Sequence, residues 1–324
     1  MQYVLHIGTN KTGTSTLQHY LGTYRDDLLK QGIWYPKVGK HPFAHHDVAQ
    51  AFKEKSALAA RGIDPDAILN GPANADATTV LLSSEAFHTI NSIEDIVSFF
   101  PPDRTRIVLY LREHVAYLAS WYQQAVQART ITCSFPEFAV LYGQPFRDLV
   151  TRWREGYGEN VKLRVYARDR LHQGDIVADF FLTAFGTPPP CERTFEDKNP
   201  SISGNLLFLK LVLNHFLTPE ENSAIVEELS ALARLDERFG GKFEIAEREV
   251  RRIARRFGED RRYLAEECGL RFGISRDAIA GHSVPDQATL RDDVGLIFGL
   301  AKKRGFALHE IALAKSDLLF PKVL

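Results

Sequence analysis

Tyr3-Val-Leu-His-Ile-Gly8-Thr-Asn-Lys11-Thr-Gly13-Thr-Ser15-Thr-Leu17 is the stretch that decides the fold. A short apolar run, residues 3–7, stops at Gly8 and reads as a strand. Leu17, Tyr20, Leu21, Tyr24 and Leu28 then recur at helical spacing. Between strand and helix lies a loop of small and hydroxyl residues. The backbone N–H groups of such a loop, with the helix N-terminus behind them, can surround an anion. Glycines at 8 and 13 let a ligand approach the backbone closely. Thr12, Thr14, Ser15 and Thr16 add hydroxyl donors, and Lys11 adds a cation.

Outward from this loop the chain alternates strand-like and helix-like runs. Strands are expected at 32–35, closed by Pro36, at 79–82, running into Ser83-Ser84-Glu85, at 106–111 and at 161–166. Helices are expected at 48–58, at 93–100 before Pro101-Pro102, along Val115, Leu118, Ala119, Tyr122 and Val126, and at 176–185 before Gly186 and a proline run. This alternation predicts an α/β fold, a parallel sheet flanked by helices. Ligands in such sheets bind beyond the C-terminal strand ends, where the residues singled out here fall. Residues 202–305 read as helices. The expected organisation is an α/β core over 1–200 and a helical region over 201–324, packed on the core as one unit. Arg251, Arg252, Arg255, Arg256, Arg261 and Arg262 form a basic stretch, read as a solvated helix face with pairs such as Glu247–Arg251.

Composition narrows the function classes. The chain has 324 residues, 44% hydrophobic and 25% charged, enough for a sizeable core. A net charge of −1 argues against a nucleic-acid binder. Cys133, Cys191 and Cys268 fit no zinc or redox spacing and are expected as reduced thiols. No apolar run reaches membrane-span length, and the first residues do not read as a signal peptide, so a cytoplasmic protein is expected.

The glycine spacing matches that of nucleoside-triphosphatase P-loops, but those place a lysine directly after the second glycine. Here that place is Thr14, and the lysine lies inside the loop at Lys11. A strand, then Lys11-Thr-Gly-Thr-Ser-Thr16, then an amphipathic helix resembles the 5′-phosphosulfate loop of sulfotransferases that use 3′-phosphoadenosine-5′-phosphosulfate (PAPS). Arg112 at a strand end, with Ser120 eight residues on, resembles that family's 3′-phosphate motif. Guanidinium offers paired donors to phosphate, and the hydroxyl a neutral one. The resemblance covers residues 1 to about 205. Together with Leu81-Leu-Ser-Ser-Glu85 the motifs look most like bacterial sulfotransferases of unassigned acceptor.

The resemblance implies a P-loop-like sulfotransferase core, PAPS as sulfuryl donor and no metal. The donor would be held by Thr9, Asn10, Lys11, Thr12, Gly13, Thr14, Ser15 and Thr16, with Arg112 and Ser120 on the 3′-phosphate. Lys11 would lie on the bridging oxygen between phosphate and sulfate. Lys198, after the proline run, would close over the nucleotide. Glu85, following a buried-type strand, is the first candidate for the base, and His88 an alternative. His45 and His46 precede a helix and are candidates for the acceptor cleft. The acceptor, a small molecule or carbohydrate, is not readable, nor is the oligomeric state. A small-molecule kinase using ATP is the competing reading.

Overall fold

The computed structural model describes residues 1–69, 71, 76–128, 131–195, 201–274 and 281–316. In chain order the first part runs β1 (Gln2–His6), α1 (Thr14–Thr23), α2 (Arg25–Lys30), β2 (Ile33–Trp34), α3 (His46–Lys53), α4 (Pro65–Leu69), β3 (Thr79–Ser83), α5 (Glu94–Phe99), β4 (Thr105–Leu111), α6 (His114–Gln127), α7 (Phe135–Tyr142), α8 (Arg147–Tyr157), β5 (Val161–Val165) and α9 (Ile176–Phe185). Then come α10 (Gly204–Leu213), α11 (Pro219–Leu235), α12 (Glu247–Arg256), α13 (Gly258–Glu266), α14 (Leu290–Arg304) and α15 (Ala307–Ala314). Beyond β5 the described residues hold only isolated bridges, Ile202 with Gly240 and Phe243 with His282.

The described strands form one five-stranded parallel sheet in the order β2-β3-β1-β4-β5. The chain fills the β2–β3 side of β1 first, then crosses to β4, so the order reverses at β1. Such a switch point is where open parallel sheets bind ligands. Val4, Leu5 and Ile7, Leu81 and Leu82, and Val108, Leu109 and Leu111 are all buried, as strands covered on both faces require. Helix α9 brings Phe180 and Phe181 into the cluster with Leu17, Tyr20 and Leu21 of α1. Strand β4 outruns β1: Ile7 N–H donates to Val108 O and Thr9 N–H to Tyr110 O, so the loop after β1 begins as an extension of the ladder.

Several expected elements differ. The helix read across Leu17 to Leu28 breaks at Tyr24, where φ is −104° and ψ 34°. There the Gly22 carbonyl accepts from Arg25 Nη1 at 2.7 Å, and the same guanidinium reaches the Tyr35 and Pro42 carbonyls. The helix expected over 48–58 starts at His46 and stops at Lys53, because Lys55 adopts a left-handed φ of 52°. Helices α7 and α8 were not anticipated; α8 buries Leu149, Val150, Trp153 and Tyr157.

The chain forms two compact units that interleave in sequence: residues 1–113, 145–195 and 258–272, and residues 114–144, 196–257 and 273–324. The first holds the whole sheet. In the second, Arg256 caps the C-terminus of α7, donating to the carbonyls of Ala139 at 2.7 Å, Val140 at 3.1 Å and Gly143 at 3.0 Å. Arg251 pairs with Glu247 at 2.5 Å on the exposed face of α12, as the spacing predicts. Among the described residues no helix is long and apolar enough to cross a membrane.

Candidate functional site

The loop after β1 is shaped by its backbone. Gly13 caps α1 at φ 74°, a left-handed value that glycine adopts freely. A Cβ there would lie 2.7 Å from Cε2 of Tyr166, the residue that follows β5. Lys11 also has a left-handed φ, 64°, which costs a non-glycine residue about 1 kcal/mol or more. Internal bonds fix the loop. Thr9 Oγ1 donates to Tyr110 O at 3.3 Å and Thr12 Oγ1 to Thr9 O at 2.5 Å. The hydroxyl protons of Thr9 and Thr12 are therefore engaged by backbone carbonyls, of β4 and of the loop respectively. Of the other expected contacts, Thr14 is buried, Asn10 and Thr16 are half-buried and Ser15 is exposed.

The end of β4 brings a second cation to this loop. Arg112 Nη1 donates to the Lys11 carbonyl at 3.1 Å, and its guanidinium carbon lies 5.8 Å from the centre of the Tyr166 ring. Burial, and then the charge of Arg112, hold the Lys11 ammonium below the usual lysine value. Burial likewise lowers Arg112, against the opposing influence of Tyr166 and Glu113. Two cations with reduced hydration lie together, and among the described residues neither forms an ion pair. A bound anion would relieve both penalties. Nearby along β4, Tyr110 Oη donates to the buried Asp179 at 2.6 Å, and Asp179 also accepts from Arg164 Nε at 3.0 Å and from the His172 N–H at 2.9 Å, joining β4, β5 and α9.

On the other side of β1, Glu85 opens a 3-10 turn (Glu85–Thr89) directly after β3. Its Oε2 accepts from Gln18 Nε2 at 2.8 Å, and His46 Nε2 lies 3.8 Å from Oε1. His46 Nδ1 is 2.8 Å from Ser84 Oγ, which itself accepts from the Ala86 N–H at 3.1 Å. A bare nitrogen facing a carboxylate would be repelled, so Nε2 carries the proton toward Glu85 and the Ser84 hydroxyl donates to Nδ1. Burial lowers His46 below the usual histidine value, while Glu85 acts to raise it.

The expected residues thus separate by role. Glu85 and His46 face one another. His88 turns its Nδ1 onto the Glu85 backbone carbonyl and is lowered by burial. His45 is buried with both nitrogens on backbone: Nδ1 accepts from Ser83 N–H at 3.0 Å and Nε2 lies 2.8 Å from Pro36 O. That engagement gives His45 a structural task, holding the loop before α3. His6 is fully buried, with Nδ1 2.8 Å from Ser83 Oγ. Ser120 is half-buried on α6, in the second unit. Lys198 lies outside the described residues. Gln18 and Tyr166 escape the sequence reading. Only the four-residue step from Thr14, which puts Gln18 on the loop's side of α1, hinted at the first.

No family model matches the chain. A protein of Archaeoglobus fulgidus described as uncharacterized is 26% identical over 262 residues, spanning 75% of this chain and 69% of its own length. Among solved structures, a sulfotransferase from Alicyclobacillus acidocaldarius aligns with 71% of this chain and 96% of its own, at 20% identity and a TM-score of 0.36. At that TM-score the likeness has no bearing on fold or activity.

Proposed function

We propose that this chain transfers a sulfuryl group from PAPS to an acceptor hydroxyl or amine. The observation that carries this reading is the pair Lys11 and Arg112, two half-buried cations brought together where the sheet order reverses. A donor with anionic groups at two ends of one nucleoside suits such a pair better than a single anion does.

The loop N–H groups and Lys11 receive the 5′-phosphosulfate. Arg112 takes the 3′-phosphate. In transfer, the acceptor oxygen or nitrogen forms a bond to sulfur as the bond from sulfur to the bridging phosphate oxygen breaks. The departing electron pair stays on that oxygen, where Lys11 stabilises the charge. The acceptor's proton passes to Glu85. As in phosphoryl transfer, positioning and charge stabilisation supply most of the rate.

The test is a thermal-shift comparison of 3′-phosphoadenosine-5′-phosphate with ATP plus magnesium. The larger stabilisation is expected from the bisphosphate. A larger shift with ATP would favour a kinase and overturn the assignment. An acceptor screen with isotopically labelled PAPS then identifies the second substrate.

A further inference from the structure

Glu85 is oriented through its two oxygens, and they are treated differently. Oε2 accepts a 2.8 Å hydrogen bond from the Gln18 amide. The nearest imidazole nitrogen to Oε1, His46 Nε2, stands at 3.8 Å, beyond hydrogen-bond distance. Gln18 is itself buried, 5% exposed, so its amide cannot turn to water. It lies on α1 four residues after Thr14, one turn from the loop.

We infer that Gln18 is a positioning residue for Glu85: its amide ties Oε2 and leaves Oε1 as the oxygen that takes the acceptor proton. Because Gln18 rides on the helix that the loop opens, it also sets the carboxylate's place relative to Lys11. The inference rests on the reading of Glu85 as base. The titratable groups that feel the charge of Glu85 are His46 on α3, His88 on the same 3-10 turn and Tyr35 after β2. None of these holds Oε2, so Gln18 is the contact to alter.

Two near-isosteric substitutions in the full chain separate the possibilities. Gln18→Met removes the donor and keeps the volume. It should lower kcat about tenfold to hundredfold, the scale of a misplaced reacting group, while affinity for 3′-phosphoadenosine-5′-phosphate stays within about twofold. Gln18→Glu sets a second carboxylate against Oε2, so that the pair must share a proton. The acid limb of the kcat/KM profile should move up by about one pH unit. A carboxyl carbon NMR titration reads the same change without turnover, with the Glu85 signal identified by its loss in Glu85→Gln. If the chain transfers no sulfuryl group, the proposed activity fails, and the titration alone decides the role of Gln18. A Glu85 midpoint unchanged in Gln18→Glu, or a parental kcat in Gln18→Met, would overturn the inference.

Discussion

On the β4 side of β1, two cations lie together with no described carboxylate paired to either. On the β3 side, a carboxylate lies among an amide, a hydroxyl and imidazoles that burial keeps toward neutrality. The first cluster leaves charge to be cancelled by a ligand. The second leaves an anion oriented and incompletely bonded, a condition suited to accepting a proton. In the proposed reading, the same sheet edge supplies a place for a bound anion and a place for a base, with the β1 loop between them.

The sharpest way to divide the two clusters is Glu85→Gln. It should cut turnover by about 10²- to 10⁴-fold, the usual weight of a general base, and leave nucleotide affinity unchanged in calorimetry. Lys11→Ala tests the other side. It should reduce kcat by about 10²- to 10³-fold, as removing a donor to developing negative charge does. Arg112→Ala should weaken 3′-phosphoadenosine-5′-phosphate binding by about tenfold to hundredfold, the loss of a charged hydrogen-bond donor. Equal affinity in parent and variant would remove Arg112 from the nucleotide site and break the contrast between the clusters.

The smallest effect is on stability. Burial pushes His6 down to about 3 and His45 to about 4, against a usual 6.5. In mild acid the unfolded chain therefore binds protons that the folded chain refuses. The contribution of each histidine is complete above about pH 6.5 and is lost progressively as the pH falls toward the folded value. Urea unfolding should show about 1–2 kcal/mol lost per histidine between pH 7 and pH 5. His45→Asn should flatten that slope.

The sheet was legible because β1 to β4 are short, largely apolar runs closed by a glycine, a proline or a polar cluster, while β5 alternates apolar residues with Lys162 and Arg164; β3 and β4 differ by one residue from the ranges read in the sequence. The loop's position was legible because the apolar run stops at Gly8 and helical spacing begins at Leu17, and the structure sets it between β1 and α1. Helices α7 and α8 went unread because each buries only a few apolar residues, Phe135, Phe138 and Ala139 in α7 and Leu149, Val150, Trp153 and Tyr157 in α8. Gln18 and Tyr166 were hidden for another reason: their importance lies in contacts spanning more than sixty residues of sequence, Gln18 to Glu85 and Tyr166 to Gly13, which periodicity does not encode. His45 was selected as a ligand-facing imidazole, and its two backbone bonds show how a histidine next to a site can serve the scaffold.

The left-handed backbone at Lys11 has a practical consequence for mutagenesis. An alanine there deletes the ammonium and keeps the Cβ, so the torsional cost that lysine already carries is unchanged. Asparagine and glycine tolerate that torsion. Lys11→Gly and Lys11→Asn therefore change the loop's own stability along with the charge, and Lys11→Ala is the cleaner replacement for isolating the ammonium.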